Sequence, residues 1–534
     1  MMTSLRVPVL IVALLLGAGA PVSAQKTIDL DSATIADLNA AFTAGTLTAE
    51  RLTQMCLARI DAYDRKGPRL RAMITVNPKA LETARALDAE RRAKGPRSPL
   101  HGIPVVVKDN YDTADMPTTG GSLMLEGSVP PDDAFLVRKL RAAGAVIIGK
   151  ANLSEFASGG AISSFGGQML NPHDLARAPG GSSGGSGIAV AAVYAVISLG
   201  TDTGGSIRNP SSANGIVGLK PTHGLTSRDG IIPLALSFDT AGPMARSVSD
   251  IATVLGLLTG IDAADPATSK SDGHFETDYT KHLNARALSG ARIGIARDFL
   301  GQDEDVDWIV ESSLEAMRRA GATVVDVRLP RWLLDAKGEF YNSIRYPEFT
   351  AQIATYLATL GPNFPKNIDQ LIDRAMRVNA PRADGGGPNP NRWTLLKREA
   401  SSGTLTSYQY TSVRDHALPL VRSVVEGVLA AEKLDAVVYP TQPRRPQLIA
   451  APVAEPPGGG ARNPVNIANL SGFPDLIVPA GFTANGQPVT MSFLGTAFSE
   501  GRLIELGYSF EQATRARRLP VNTPRLMDEK IRVP

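Results

Sequence analysis

Cysteine and histidine are scarce in this chain of 534 residues. Cys56 is the only cysteine, so no intramolecular disulfide bond can form. Its neighbours have the apolar spacing of a helix, which predicts a buried structural thiol. The six histidines include no pair at the HxH or HxxxH spacing that zinc sites use. We therefore expect neither a metal ion nor any other cofactor.

The chain also lacks an excess of charge of one sign. Lys and Arg number 55 against 52 Asp and Glu, which gives a net charge of +3 at pH 7. No long run of Lys or Arg concentrates this small excess into a patch. A nucleic-acid partner or an anionic membrane surface therefore has no electrostatic support.

A long hydrophobic run is missing as well. The apolar stretch at 7–20 is shorter than the roughly 20 residues that a membrane-spanning helix needs. Small residues at 22–24 then indicate a signal-peptidase site. We expect a signal peptide over residues 1–24, a periplasmic or secreted mature protein, and no stable membrane association after cleavage. A retained membrane anchor is the alternative.

The rest of the chain has the patterns of an α/β protein. Residues 29–94 have helical apolar spacing, and from residue 100 short apolar runs alternate with helical segments. This alternation predicts one large, mostly covered sheet. The predicted strands are Ile103–Val107, Ala145–Ile148, Ala195–Leu199, Ile216–Leu219, Arg292–Ala296, Thr323–Val327, Ala436–Tyr439, Asp475–Pro479 and Val489–Leu494.

Two Gly- and Pro-rich stretches interrupt the later part of the chain. The stretch at 384–391 lies inside a mostly helical region at about 335–415, and the other lies at 456–460. Their composition predicts flexible surface loops inside one domain rather than linkers between domains. Loops of this kind often border a substrate cleft.

The most unusual motifs are two turns rich in Gly and Ser. The turn at 180–187 precedes a helix and could bind an anion through its backbone amides, but it lacks the Gly-Lys-Ser/Thr ending of a phosphate-binding loop. The second turn follows a predicted strand, and its amides at 203–206 could form an oxyanion hole beside Ser206. Lys108 ends another apolar strand, where loss of hydration favours the neutral amine and hence a base. These features fit a Ser/Lys hydrolase that uses no histidine.

In this order, the motifs resemble the amidase signature family. The resemblance extends from about residue 30 to 515 and is weaker near 262–290 and 335–460. The similar blocks lie at 102–110, 144–156, 180–187, 202–210, 217–222, 470–474 and 478–482.

The resemblance implies both a fold and a set of site residues. The fold is α/β, a single domain over 25–534 with a mixed, twisted central sheet covered by helices on both faces. Ser206 corresponds to the acylated nucleophile. Ser182 corresponds to the bridging serine, which follows a cis peptide bond in the family, and Lys108 to the general base that acts through it. The oxyanion hole corresponds to the backbone amides of Thr203, Gly204, Gly205 and Ser206. The supporting side chains correspond to Ser183 and Asp202. The residues expected to brace the fold are Lys150, Lys220 and Arg208.

The substrate is indicated less directly. The stretches at 224–233 and 239–246 resemble bacterial peptide amidases, which remove the C-terminal amide of peptides; similar exported relatives include aryl acylamidases. We therefore expect a peptide or small-molecule amide as substrate. In this family the pocket is usually shaped by the region matching 335–415. The aromatic candidates there are Tyr341, Tyr346, Phe349 and Trp393, although core packing is the commoner role for such residues.

Three other interpretations remain open. The segment 181–185 also fits the Gly-x-Ser-x-Gly elbow of α/β-hydrolases, with Ser183 as nucleophile and His416 as its base. The Gly-rich turns could instead serve an exported, non-catalytic ligand-binding protein as an anion nest. The amidase component of a tRNA-dependent amidotransferase has the same signature, but the predicted signal peptide and the near-neutral charge argue against a tRNA partner.

Overall fold

The computed structural model describes residues 26–450 and 462–534. The predicted signal peptide and the predicted loop at 456–460 lie outside these residues. Within the described ranges, no helix combines the length and apolar character that crossing a membrane requires. Cys56 is fully buried, as predicted.

Helices make up much of the described chain. The α-helices are α1 Ile35–Thr43, α2 Ala49–Arg59, α3 Ala80–Lys94, α4 Phe135–Ala142, α5 Gly184–Ala191, α6 Arg208–Ala213, α7 Val248–Leu258, α8 Glu304–Arg319, α9 Arg331–Thr359, α10 Ile368–Ala375, α11 Pro390–Ala400, α12 Tyr408–Ser412, α13 Leu418–Ala431, α14 Ile467–Ser471 and α15 Glu500–Thr514. The region at 335–415 is mostly helical, as the sequence indicates.

One large mixed sheet forms the centre of the molecule. The strands are β1 Lys26–Asp29, β2 Met73–Val76, β3 Pro104–Lys108, β4 Val146–Ala151, β5 Ile162–Ser163, β6 Gly167–Gln168, β7 Ile197–Asp202, β8 Val217–Lys220, β9 Thr240–Ala245, β10 Arg292–Ala296, β11 Thr323–Val327, β12 Ala436–Pro440, β13 Asp475–Phe482, β14 Pro488–Leu494 and β15 Lys530–Val533. The sheet has 11 strands in the order β11-β10-β12-β14-β13-β8-β9-β7-β3-β4-β2. Strands β10, β11 and β12 are parallel, as are β3, β4 and β7, and the other pairings are antiparallel.

All nine predicted strands are present, and two strands of the sheet were missed. Met73–Val76 lies in a stretch predicted to be helical, but it pairs with β4. Thr240–Ala245 contains Gly242 and Pro243, which usually indicate a turn. It nevertheless lies between β7 and β8 and is antiparallel to both. The helical prediction over 29–94 is therefore wrong at 73–76.

Both faces of the sheet are covered. Val105 and Val107 belong to one apolar cluster together with residues of α4 and α7, whereas Val106 belongs to another with residues of α5. Because successive side chains of a strand point to opposite faces, helices must pack on each side of the sheet. The predicted fold class, α/β with a mixed central sheet covered by helices, is confirmed.

The parallel strands β3 and β7 bring the lysine and the two Gly- and Ser-rich turns together. The two strands are hydrogen bonded neighbours, so their carboxyl ends meet at one edge of the sheet. Lys108 is the last residue of β3 and Asp202 the last of β7, and the 180–187 turn leads into α5. Ligands of open α/β sheets commonly bind outside the carboxyl ends of the strands.

Candidate active site

Lys108 is completely buried at the end of β3. Its Nζ lies 2.7 Å from Ser182 Oγ and 2.7 Å from Thr201 Oγ1. Burial lowers the pKa of the amine to about 7, against the opposing effects of the Asp202 and Asp239 carboxylates. A large fraction of the lysine is therefore unprotonated near neutral pH and can accept a proton from Ser182.

Ser182 is held by the backbone around it. The Gly181–Ser182 peptide bond is cis, as the family resemblance implies. Gly180 has a φ of 75°, and a Cβ there would lie 2.8 Å from backbone atoms of Asn209. Only glycine fits this close approach of two turns without strain.

Asp202 organises the turn that carries Ser206. Its Oδ1 accepts the Gly205 amide at 2.8 Å, and its Oδ2 accepts the Ile207 amide at 3.0 Å. Burial raises the pKa of Asp202, but the Arg208 guanidinium, 3.1 Å away, outweighs this effect and holds that pKa well below its usual range. The carboxylate thus stays ionised and fixes the backbone of the turn.

Asp202 occupies one of the four backbone amides that were predicted to bind an oxyanion. The Gly205 amide is taken by the carboxylate. Within the described residues, no acceptor takes a hydrogen bond from the amides of Thr203, Gly204 or Ser206. Three of the four amides therefore remain available to a ligand. Ser183 supports the same turn, since its amide donates to the Ser206 carbonyl at 3.1 Å.

Ser182 and Ser206 line the same pocket, whose volume is about 620 Å³. Of the four aromatic candidates, Tyr341 lines this pocket, whereas Tyr346, Phe349 and Trp393 are not among its described lining residues. The region at 335–415 was predicted to shape the pocket, but its other lining residues were not named. Helices α9 and α11 contribute Asn342, Arg345, Asn391, Thr394, Leu395 and Arg398. The four from α11 have the i, i+3, i+4, i+7 spacing of one helical face.

A family model described as Amidase matches residues 51–504. The chain belongs to the amidase family. This confirms the resemblance of its motifs to the amidase signature.

Several members of the amidase family are similar along nearly the whole chain. The structure of native peptide amidase from Stenotrophomonas maltophilia is 42% identical, with a TM-score of 0.83, and covers 92% of this chain and 99% of that one. An amidase family protein from Bacillus anthracis is 33% identical, with a TM-score of 0.81 and 92% of each chain covered. A glutamyl-tRNA(Gln) amidotransferase subunit from Halorhodospira halophila is 39% identical over 501 residues, which are 90% of this chain and 97% of that protein.

Three buried cations of this amidase lie away from the pocket lining and connect strands and loops. Lys150 lies 3.3 Å from Asp109, and Lys220 donates to two backbone carbonyls at 2.8 and 2.9 Å. Arg208 joins Asp202 to Asp475, from which it lies 3.2 Å. These contacts agree with the predicted bracing role.

The geometry does not favour the α/β-hydrolase interpretation. The Ser183 hydroxyl is fully buried and donates to the Thr201 carbonyl at 3.2 Å. His416 is exposed within a π-helical turn at Val413–Ala417. A nucleophile needs a base within hydrogen-bonding reach, and no hydrogen bond joins these two side chains in the described part of the chain.

The stretch at 384–391 is held in place by hydrogen bonds rather than being a free connector. The Gly385 carbonyl accepts a hydrogen bond from the Arg71 guanidinium at 3.0 Å, and the Gly387 amide donates to the Ser164 carbonyl at 2.7 Å. Asn389 caps the start of α11. Of this stretch, Asn391 is the one described residue that lines the pocket, and it already belongs to α11.

The state of Lys108 predicts how the activity of this amidase depends on pH. A protonated lysine cannot accept a proton, so kcat/KM on an uncharged amide should fall about tenfold per unit below the pKa of Lys108, which is about 7. A pH–rate profile measures this directly. A rate that stays constant down to about pH 5 would contradict a lysine base.

Proposed function

We propose that this amidase is a serine amidohydrolase that forms an acyl-enzyme through Ser206 and removes the C-terminal amide of peptides. The observation that carries the chemistry is the 2.7 Å contact between Lys108 and Ser182, beside a pocket that Ser206 also lines. The similarity to peptide amidase at 42% identity supports the substrate.

The first step is a transfer of two protons. Neutral Lys108 takes the proton of Ser182, which takes that of Ser206, and the Ser206 oxygen attacks the amide carbonyl. No hydrogen bond joins the two serine hydroxyls in the described structure, so the relay needs rotation of a hydroxyl when substrate binds. Contacts of this kind often tighten only in the complex with substrate.

The tetrahedral intermediate then needs donors for its negative oxygen. The amides of Thr203, Gly204 and Ser206 supply them, and one such donor contributes about 3 kcal/mol to transition-state stabilisation in serine hydrolases. The relay returns a proton to the leaving ammonia, and the C–N bond breaks. Water then attacks the acyl-enzyme and releases the carboxylic acid.

The size of the pocket suits a substrate larger than a short aliphatic amide, since its volume is about 620 Å³. Its wall includes amide and hydroxyl side chains such as Asn391 and Thr394, and such groups can donate to and accept from a peptide backbone. An aryl acylamidase, which cleaves N-acyl anilides, remains the alternative within the same chemistry.

A substrate panel tests this proposal. The mature protein, from Gln25, is given peptide C-terminal amides, N-acyl anilides and short aliphatic amides, and released ammonia or aniline is measured. We expect ammonia release from peptide amides to be the fastest reaction. Activity on anilides alone would indicate an aryl acylamidase that uses the same proposed mechanism. The absence of both activity and labelling by an activated fluorophosphonate would favour a ligand-binding protein.

The relatives named as amidotransferase subunits motivate a second candidate function. The one from Halorhodospira halophila is 39% identical to this chain. A protein of that kind should work as one subunit of an assembly that acts on glutamyl-tRNA(Gln). We favour the peptide amidase because the predicted signal peptide would place this chain in the periplasm or outside the cell, away from tRNA. Detection of the protein in the periplasmic or secreted fraction tests this location.

A further inference from the structure

Asp239 is a buried carboxylate behind the turn that carries Ser206. Its Oδ1 accepts a hydrogen bond from the Thr203 hydroxyl. Its Oδ2 accepts the amides of Leu234 and Ala235 at 2.9 and 3.0 Å. The carboxylate therefore ties Thr203, whose amide is one of the three available donors, to a second loop.

Asp239 also acts on Lys108. A small cavity of about 10 Å³ is lined by Asp239, Thr203 and Thr201, and Thr201 Oγ1 lies 2.7 Å from Lys108 Nζ. Thr201 thus contacts the Lys108 amine and also lines the cavity that Asp239 lines. Burial lowers the pKa of Lys108, and the charges of Asp202 and Asp239 oppose that effect.

The other charged groups around Asp239 have partners of their own. Arg228 lies on the same side but forms an ion pair with Asp265 at 2.5 Å. Asp202, the other carboxylate that acts on Lys108, is paired with Arg208. No Lys, Arg or His within residues 26–450 and 462–534 forms an ion pair with Asp239.

Tyr341, which also interacts with Asp239, is uncharged at neutral pH. Tyr341 stacks on Phe238 with 5.4 Å between ring centroids, and burial raises its pKa well above the usual range. Burial raises the pKa of Asp239 itself to about 6, against the hydrogen bond from Thr203. Asp239 is therefore mostly ionised at neutral pH, and its charge is not neutralised by a paired cation.

We propose that Asp239 is a positioning residue: it holds Thr203 so that the Thr203 amide faces the substrate oxygen, and its charge helps to set the pH range in which Lys108 is unprotonated. This inference rests on the proposed amide hydrolysis. It predicts two separable effects, one on the rate and one on the pH dependence.

The charge is tested with Asp239→Asn. The asparagine oxygen can still accept the two backbone amides, and the Thr203 hydroxyl can turn to accept from Nδ2, so shape is kept and charge is lost. Removing a carboxylate disfavours the protonated amine, so the acidic limb of kcat/KM should move to lower pH by about 0.5–1 unit. If the acidic limb of kcat/KM stays at the wild-type pH, the electrostatic part of the proposal is overturned.

The hydrogen bond is tested with Thr203→Val, which removes the hydroxyl and keeps the Asp239 side chain. We expect kcat about tenfold lower with KM little changed, because a misaligned amide stabilises the transition state less. Loss of this hydrogen bond also raises the pKa of Asp239, so the acidic limb should move in the same direction as in Asp239→Asn but no further. Thr203→Ser should restore both kcat and the limb. A wild-type kcat in the valine variant would overturn the positioning role.

Two controls separate these results from other failures. Active sites are counted by fluorophosphonate labelling, so that loss of folded protein does not count as loss of kcat. A purely structural role of Asp239 would lower the labelled fraction and leave the limb unmoved, which contradicts the proposal. A wild-type protein that hydrolyses no amide would overturn the proposed function and this inference with it, whereas an active wild type with unaltered variants would overturn the inference alone.

Discussion

Ser206→Ala should abolish amide hydrolysis, with a loss of at least about 10⁴-fold in kcat on any substrate that the wild-type protein cleaves. The reason is that the proposed reaction proceeds through a covalent bond to the Ser206 oxygen, and neither Ser182 nor the three amides can replace that oxygen. The measurement is ammonia release from a peptide amide, with trapping of the acyl-enzyme by mass spectrometry. Substantial remaining turnover would rule out Ser206 as the nucleophile.

A matched control for this variant is Ser183→Ala. Ser183 is the other serine that the sequence offers as a nucleophile, and its hydroxyl is fully buried against the Thr201 carbonyl. We expect Ser183→Ala to lower the rate much less than Ser206→Ala and to leave covalent labelling intact. The reverse order of the two losses would revive the α/β-hydrolase interpretation.

Lys108→Met should lower kcat by about 10²–10⁴-fold, which is the usual contribution of a general base. Methionine has similar length and is accepted in a buried position, so the fold should remain while the base is lost. Labelling by a fluorophosphonate should become slow rather than disappear, because Ser206 is still present.

Combining Lys108→Met with Ser206→Ala gives a sharper test than either variant alone. If Lys108 acts only through activation of Ser206, then adding Lys108→Met to Ser206→Ala should cause no further loss, since residues that act as a unit are not additive. A thermal melt of each variant checks that the protein is folded. A Lys108→Met variant with wild-type kcat would show that the base lies elsewhere.

The sheet was largely predictable because most of its strands are buried on both faces. Runs such as Val105–Val107 are continuously apolar, and this pattern can be recognised even when the partner strand is unknown. The strand at Thr240–Ala245 was hidden by Gly242 and Pro243, whose local preference for a turn is overridden by pairing on both sides. Local propensity carries no information about such pairing.

The site was predictable only in part, for a similar reason. Lys108, Ser182 and Ser206 could be proposed from the sequence because they lie in motifs with few alternative uses. The face of α11 that lines the pocket has regular helical spacing, but nothing in its sequence says that Asn391 and Arg398 face a cleft rather than solvent. Asp239 was missed because its role depends on Thr203, which is 36 residues away along the chain.

The pocket is built from two separate parts of the chain, and this has an evolutionary consequence. Lys108, Ser182 and Ser206 come from the strands and turns of the sheet, whereas much of the facing wall comes from α9 and α11. Mutations in those two helices can alter which molecules enter the pocket without displacing Lys108 or the two serines. Substrate specificity can therefore change during evolution while the reaction chemistry is kept. Relatives with different names can for this reason resemble one another along nearly their entire length.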